Sequence, residues 1–310
     1  MNRKILSLSL LMLVASMFFS CENGKKKSSA VFSTSHDEAV EQVEEEEETY
    51  EETENLDKVE YNDIKEEAKL EEGLSRIPYE QLEQPAPMNS HSEMLLFKNQ
   101  FIISFNTSTN CPNYVAWRLT KERTRGNAQR TDEFTVDYVL NEAARVETYD
   151  YNGSGYDRGH MCPAADNKND IEAMKQSFMM TNVCPQNHDL NAGTWNELEQ
   201  LCRQWAKDYG DVYIACGPIY DKRPYKTIGK RKDIKVAVPD RFFKVVLMEG
   251  RTTRAIGFIF PNAPVNDDIR NYCMSVDKVE KATGLDFYPE LDDKVEKKVE
   301  AECNPGAWGL

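Results

Sequence analysis

Only four histidines occur in the chain, His36, His91, His160 and His188. One of them closes the string Tyr156-Asp157-Arg158-Gly159-His160-Met161. A general base needs a pKa near the working pH and a partner that fixes its tautomer, and a histidine beside an aspartate offers both. Alone, Asp-Arg-Gly-His fits a satisfied surface histidine equally well. A second group follows within TNVCPQNHDLNAGTWNELEQLCRQW, residues 181–205: Asn182, Asn191, Glu199 and Arg203. That second group adds polar candidates close in sequence to the histidine. The plainer alternative is a helix-capping Asn191 with a surface Glu199–Arg203 ion pair, worth a few tenths to about 1 kcal/mol each.

These side chains need elements to hold them. Trp195, Leu198, Leu201, Cys202 and Trp205 recur at helical spacing and define a buried seam. Glu199 and Arg203 stand i,i+4 on a strip roughly 100° from it. The spacing predicts a helix over 191–207, with Asn191 at its start and Asn182 in the preceding loop. Further helices are expected near 171–178 and 266–282. Strand-like runs cover Phe101–Phe105, Val212–Cys216, Phe242–Met248 and Ala255–Phe260. The pattern is that of an α+β domain.

The charge is segregated. The 310 residues carry a net −15, which taken whole argues against a partner rich in phosphate. Between Glu22 and Ser90, however, 21 acidic residues face 7 basic ones, a net of −14, so residues 91–310 carry about −3. The acidic stretch has few aromatics and no apolar periodicity, and it reads as a disordered tether with at most a short helix at Tyr61–Leu74. Ahead of it, Arg3-Lys4 and the apolar run Ile5–Phe19 read as a signal peptide, residues 1–20, too short for a comfortable membrane span. Cys21 follows, in a setting similar to a bacterial lipobox, and would carry a lipid anchor. The expected organisation is signal peptide 1–20, anchor and tether 21–92, and a globular domain 93–310, in an exported, membrane-anchored bacterial lipoprotein.

Seven cysteines besides Cys21 (Cys111, Cys162, Cys184, Cys202, Cys216, Cys273 and Cys303) leave at least one unpaired if disulfides form. No CxxC occurs, which disfavours structural zinc. Basic residues gather twice in the domain: Arg118, Lys121, Arg123, Arg125 and Arg130, then seven Lys and Arg between residues 221 and 235. Either cluster could meet phosphates in a salt-dependent, sequence-independent way.

YDRGHMCPAAD, TNVCPQ and NAGTWNELE together closely resemble the DNA/RNA non-specific endonuclease family, ββα-metal nucleases of endonuclease G type. VAWRLTKE, CGPIY, VPDRFFKVV, GFIFPN and TGLDFYP extend the resemblance over roughly residues 94–290. It implies the ββα-metal (His-Me finger) fold, a central, mainly antiparallel sheet flanked by helices. It implies His160 as general base, Asn191 as direct ligand of Mg²⁺ (or Mn²⁺ in its place), and Glu199 as a carboxylate holding metal-bound water. Arg203, with Arg158 and an upstream arginine, would bind substrate phosphate, Asn182 would be a site asparagine near the base, and Asp157 and Arg158 complete the motif among the catalytic residues. An upstream site arginine is expected at Arg130, with Arg125 as the alternative. The implied reaction is hydrolysis of DNA and RNA to 5′-phosphate and 3′-hydroxyl ends, and several such proteins form homodimers. The competing readings are an inactive nucleic-acid-binding lipoprotein and a phosphodiesterase on small nucleotides.

Overall fold

A computed structural model describes residues 82–88 and 92–310, apart from 250–251. The signal peptide, Cys21, the acidic stretch with the helix expected at Tyr61–Leu74, His36 and His91 lie outside the described residues. Among the described residues no helix is long and apolar enough to cross a membrane.

A seven-stranded antiparallel sheet forms the centre. Its strands are β1 (Met94–Phe97), β2 (Ile102–Asn106), β3 (Cys111–Leu119), β6 (Val212–Ile219), β9 (Arg241–Met248), β10 (Arg254–Pro261) and β11 (Cys273–Met274), hydrogen-bonded in that order. Two small hairpins stand beside it: β4 (Asp157–His160) with β5 (Val183–Gln186), and β7 (Thr227–Ile228) with β8 (Val236–Ala237). The central strands are apolar on both faces, because both faces are covered. In β9, Phe242, Val246 and Met248 enter one core and Phe243, Val245 and Leu247 the other, as a period of two requires.

Among the described residues the longer α-helices are α1 (Ile171–Ser177), α2 (Asn196–Asp208), α3 (Val276–Thr283) and α4 (Asp293–Ala301), the last three packed on the sheet. Helix α2 packs on β3 and β6 through Leu198, Cys202 and Trp205, the seam expected from spacing, while Leu201 is partly buried. Helices α3 and α4 bury Val276, Val279 and Val299 in the opposite core. The α+β architecture expected from the sequence is the one observed.

Two helix boundaries differ from the expectation. Where one helix was expected near 266–282, the chain makes a 3₁₀ turn at Ile269–Tyr272 and edge strand β11 before α3 starts at Val276. Pairing of Gly257 with Met274 and of Phe258 with Cys273 competes there with helical propensity and prevails. Helix α3 stops at Gly284, whose φ of 74° supplies the left-handed cap that a Cβ would disfavour. The helix expected over 191–207 also starts later, for a reason that belongs to the site.

Candidate active site

The histidine stands on a hairpin. Strand β4 runs antiparallel to β5, with Asp157 opposite Gln186, Gly159 opposite Cys184 and His160 opposite Val183. Gly159 is required by close approach, since a Cβ there would lie 2.1 Å from Oε1 of Gln186. Behind the hairpin, Asn182 is fully buried and its amide is spent on backbone. Its Oδ1 accepts from Cys162 N at 2.9 Å, and its Nδ2 donates to the carbonyls of Cys162 and Ser177, each at 2.8 Å. Asn182 therefore fixes the chain just after His160 and offers nothing to a substrate, which differs from its expected place among the reacting groups.

The imidazole of His160 lies between two rings, with Phe134 at 5.0 Å and Phe178 edge-on at 4.8 Å between centroids. Its Nε2 is sealed from solvent without a partner, whereas Nδ1 is not among the sealed atoms. Burial, then the nearby Arg130 charge, push its pKa down to about 3, with Asp132 opposing. The ring is neutral at pH 7. Arg130 reaches this pocket: its guanidinium stands 5.1 Å over the Phe178 ring and pairs with Asp132. The charge of Arg125, the alternative, acts instead on Glu122. The structure thus brings Arg130, not Arg125, to the base.

After β5 the chain enters the helical layer through Asn187, whose side chain accepts from Asp189 N and Leu190 N. The capping role expected for Asn191 belongs to Asn187. A π-helical turn, Asn191–Trp195, follows, broken at Gly193 (φ −98°, ψ −112°), and regular α-helix begins only at Asn196. Asn191 is thereby turned toward β4. Oδ2 of Asp157 accepts from Nδ2 of Asn191 at 2.9 Å and pairs with Nδ1 of His188, also at 2.9 Å. An ionised carboxylate can only accept, so the amide –NH₂ faces Asp157 and Oδ1 points away from it. The Asp157 carboxylate also raises the pKa of exposed His188.

One and two turns along, Glu199 and Arg203 sit in the same layer, and the pair is not a surface one. Arg203 bonds Asp166 at 3.0 Å, while its contact with Glu199 is 3.9 Å. Asp166, 1% exposed, also accepts from Trp117 Nε1 at 3.1 Å. Burial raises the Glu199 carboxyl to about 7; Lys244, Arg203 and Arg130 pull it down and Asp166 pushes it up. Lys244, on the inward face of β9, is fully buried, its Nζ unpaired and 4.3 Å from the centroid of Trp195 and 5.5 Å from that of Trp117.

The site therefore combines a neutral imidazole with a free amide oxygen, a carboxylate and two guanidiniums, on a β-hairpin followed by a helix. The outward Oδ1 of Asn191 and the Glu199 carboxylate are oxygen donors of the kind a hard divalent cation takes. Asp277, Glu280 and Glu300, which lie close enough together to share an ion, belong to α3 and α4 on the other layer.

The model of the DNA/RNA non-specific endonuclease family matches residues 80–294. The chain belongs to that family. It is 38% identical over 222 residues to a nuclease of a Nostoc species, covering 68% of this chain and 78% of that one. It is 33% identical over 208 residues to human mitochondrial endonuclease G, covering 63% of this chain and 69% of that one. Against the mitochondrial nuclease EXOG of Danio rerio the identity is 34%, and the chain spans 61% of that protein's length. A crystal structure of the EndoG/EndoGI complex superposes with a TM-score of 0.63 at 26% identity, covering 70% of this chain and 95% of that one. The ββα-metal fold expected from the motifs is the one these relatives share.

In this endonuclease-family chain several cations are committed to framework. Arg158 donates to the Thr148 carbonyl and to Asn152 Oδ1, each at 2.7 Å, and lies 5.6 Å over Phe134, bracing one wall of the histidine pocket. Arg123 is buried among the carbonyls of Asp166, Gln100 and Arg118, so it is not part of a phosphate-binding surface. Arg118 pairs with Asp211, and Arg231 with Asp150. Lys226 donates to Tyr156 Oη at 2.7 Å, which places one member of the second basic cluster beside β4.

Asp166 and Lys244 were not singled out from sequence. Lys244 carried a signal, as the one charge inside the apolar run Phe242–Met248. Asp166 closes the YDRGHMCPAAD string, but its role was not legible there, because its partners lie 37 and 49 residues away.

Proposed function

We propose that the protein is a Mg²⁺-dependent endonuclease that hydrolyses DNA and RNA without sequence preference, leaving 5′-phosphate and 3′-hydroxyl ends. The observation that carries this reading is the neutral imidazole of His160, without a hydrogen-bond partner, on the same strand as the Asp157 carboxylate that turns the Asn191 amide oxygen outward. The open nitrogen of that ring, Nδ1, takes a proton from the attacking water, and Nε2 keeps its hydrogen in the apolar pocket. Oδ1 of Asn191 and, through water, Glu199 would hold Mg²⁺, and the bound ion would supply Lewis-acid cover for charge developing on the phosphate and on the 3′ oxygen. Arg130 and Arg203 donate to the nonbridging oxygens, and Asp166 keeps the Arg203 guanidinium aimed along its helix face. His188, exposed, shares the Asp157 carboxylate with Asn191. Backbone-directed contacts of this kind act on either polymer and read no base.

The test is digestion of circular DNA and of RNA by the purified protein, with and without Mg²⁺, followed by analysis of the new ends. Internal nicks that vanish with chelator and in Asn191→Ala and His160→Ala support the reading. Binding without cleavage in Mg²⁺ would favour the nucleic-acid-binding lipoprotein, and turnover of small phosphodiesters alone would favour the other alternative. On the sequence of residues 1–92 we further propose that the enzyme is exported and held to a membrane through lipidated Cys21.

A further inference from the structure

Of the seven cysteines in the described residues, Cys111, Cys162, Cys184, Cys202 and Cys216 are buried. Cys273 is partly exposed and Cys303 exposed, and their Sγ atoms lie 3.6 Å apart across 30 residues of chain. Cys273 is on β11, the edge strand of the sheet. Cys303 lies between α4 and the 3₁₀ turn Pro305–Trp308. Val299 on α4 packs in one core layer, whereas Trp308 packs in the other. Between those two residues the chain passes around the sheet edge, and Cys303 meets Cys273 at that crossing.

What lies beyond the crossing matters to the site. The carbonyl of Trp308 accepts the Trp205 indole N–H at 2.8 Å, and the two rings meet edge-on at 4.7 Å. Trp205 is on α2, the helix that carries Glu199 and Arg203. The Arg254 guanidinium covers the Trp308 ring at 5.1 Å. The C-terminal segment therefore buttresses the helix that holds two of the site side chains, and what fastens it to β11 is the thiol pair.

We propose that Cys273 and Cys303 form a disulfide that staples the C-terminal segment across the sheet edge and so secures the buttress behind α2. The separation exceeds a disulfide bond by about 1.5 Å, a gap that side-chain rotation closes. Exposed Cys303 is the sulfur an oxidant reaches first. Its thiolate attacks an incoming disulfide, oxidised glutathione or a protein disulfide, forming a mixed disulfide and expelling one thiolate. The Cys273 thiolate then attacks the Cys303 sulfur and expels the second. Two electrons and two protons pass to the oxidant, which leaves as two thiols. Burial, together with the neighbouring Cys303, pushes the Cys273 thiol up to about 11. Burial raises the Cys162, Cys184, Cys202 and Cys216 thiols, and this protects them from the same chemistry.

The inference is independent of the nuclease reading. It is tested by treating the full chain with oxidised glutathione, alkylating free thiols under denaturing conditions, and mapping peptides before and after reduction. The expected result is one cross-linked pair, Cys273 with Cys303, and a mass 2 Da below that of the all-thiol chain. In thermal melts, reductant should lower the Tm of the oxidised protein by roughly 6–15 °C, the shift expected for closing a 30-residue loop, and leave Cys303→Ser unmoved. Limited proteolysis should release the C-terminal segment faster from Cys303→Ser than from the oxidised parent. Free alkylation of both thiols after oxidation, a bond joining other cysteines, or the same response to reductant in Cys303→Ser would overturn it.

Discussion

Replacing Asp166 with asparagine tests whether the site helix is positioned by a buried anion. The carboxylate is 1% exposed and accepts from Arg203 Nη1 at 3.0 Å and from Trp117 Nε1 at 3.1 Å. Asparagine has the same shape but only one acceptor oxygen, so its –NH₂ must face one of those two donors. The substitution also leaves the mostly buried Arg203 cation without its nearest counter-charge. Removing one partner of a buried ion pair costs about 3–5 kcal/mol. At about 2–4 °C per kcal/mol for a domain of this size, the Tm should fall by roughly 6–20 °C. A second consequence separates this account from general damage. Asp166 is the anion that pushes the Glu199 carboxyl upward, so Asp166→Asn should lower the pH at which Glu199 ionises. Thermal melts with pH–rate profiles of DNA cleavage read both effects. A Tm loss under about 2 °C, or an acid limb that does not move, would refute the reasoning.

Other outcomes follow from the same geometry. Because burial holds the Glu199 carboxyl near 7 against an ordinary 4.5, its contribution to stability fades as pH rises through that window. Without metal, Glu199→Gln should therefore melt higher than the parent at pH 8 and match it at pH 4.5, while cleaving more slowly in Mg²⁺. His160 has the opposite sign: with a pKa of about 3 against 6.5, its contribution is complete above 6.5 and is lost as pH falls toward 3. Urea titrations at pH 7 and 4.5 should show a smaller pH difference in His160→Ala than in the parent, and cleavage at pH 7 should drop by about 10²–10⁴-fold. Asn191→Ala should keep a Tm within a few degrees of the parent and lose the metal dependence of cleavage, read by plasmid nicking across a Mg²⁺ titration. Affinity for duplex DNA, measured by fluorescence anisotropy between 50 and 200 mM salt, should fall in log–log form with a slope of about −0.9 per phosphate contacted, and Lys226→Ala should lessen it by about one contact.

Much of this was legible in the residues themselves. The apolar seam from Trp195 to Trp205 fixed which face of α2 is buried, since a 3.6-residue period has one inward side. The DRGH string, Asn191 and the Glu199–Arg203 spacing supplied candidate site residues, because chemistry constrains residue type and local spacing together. The segregation of negative charge before residue 91 was likewise local information. Tertiary structure decided whatever depended on partners distant in sequence. Arg203 turned to Asp166 rather than to its i,i+4 neighbour because burial makes the nearest full charge outweigh a helical-strip contact. Asn182 and Arg123 became scaffold because backbone carbonyls far along the chain were left needing donors. Asn191 lost the capping role to Asn187 and gained its orientation from Asp157, across the hairpin. The neutrality of His160 came from Phe134 and Phe178 closing over it, a desolvation that no window of sequence contains. Residue types and their spacing pointed to the family and to its candidate site residues, and packing between distant segments set the charge state and aim of those groups.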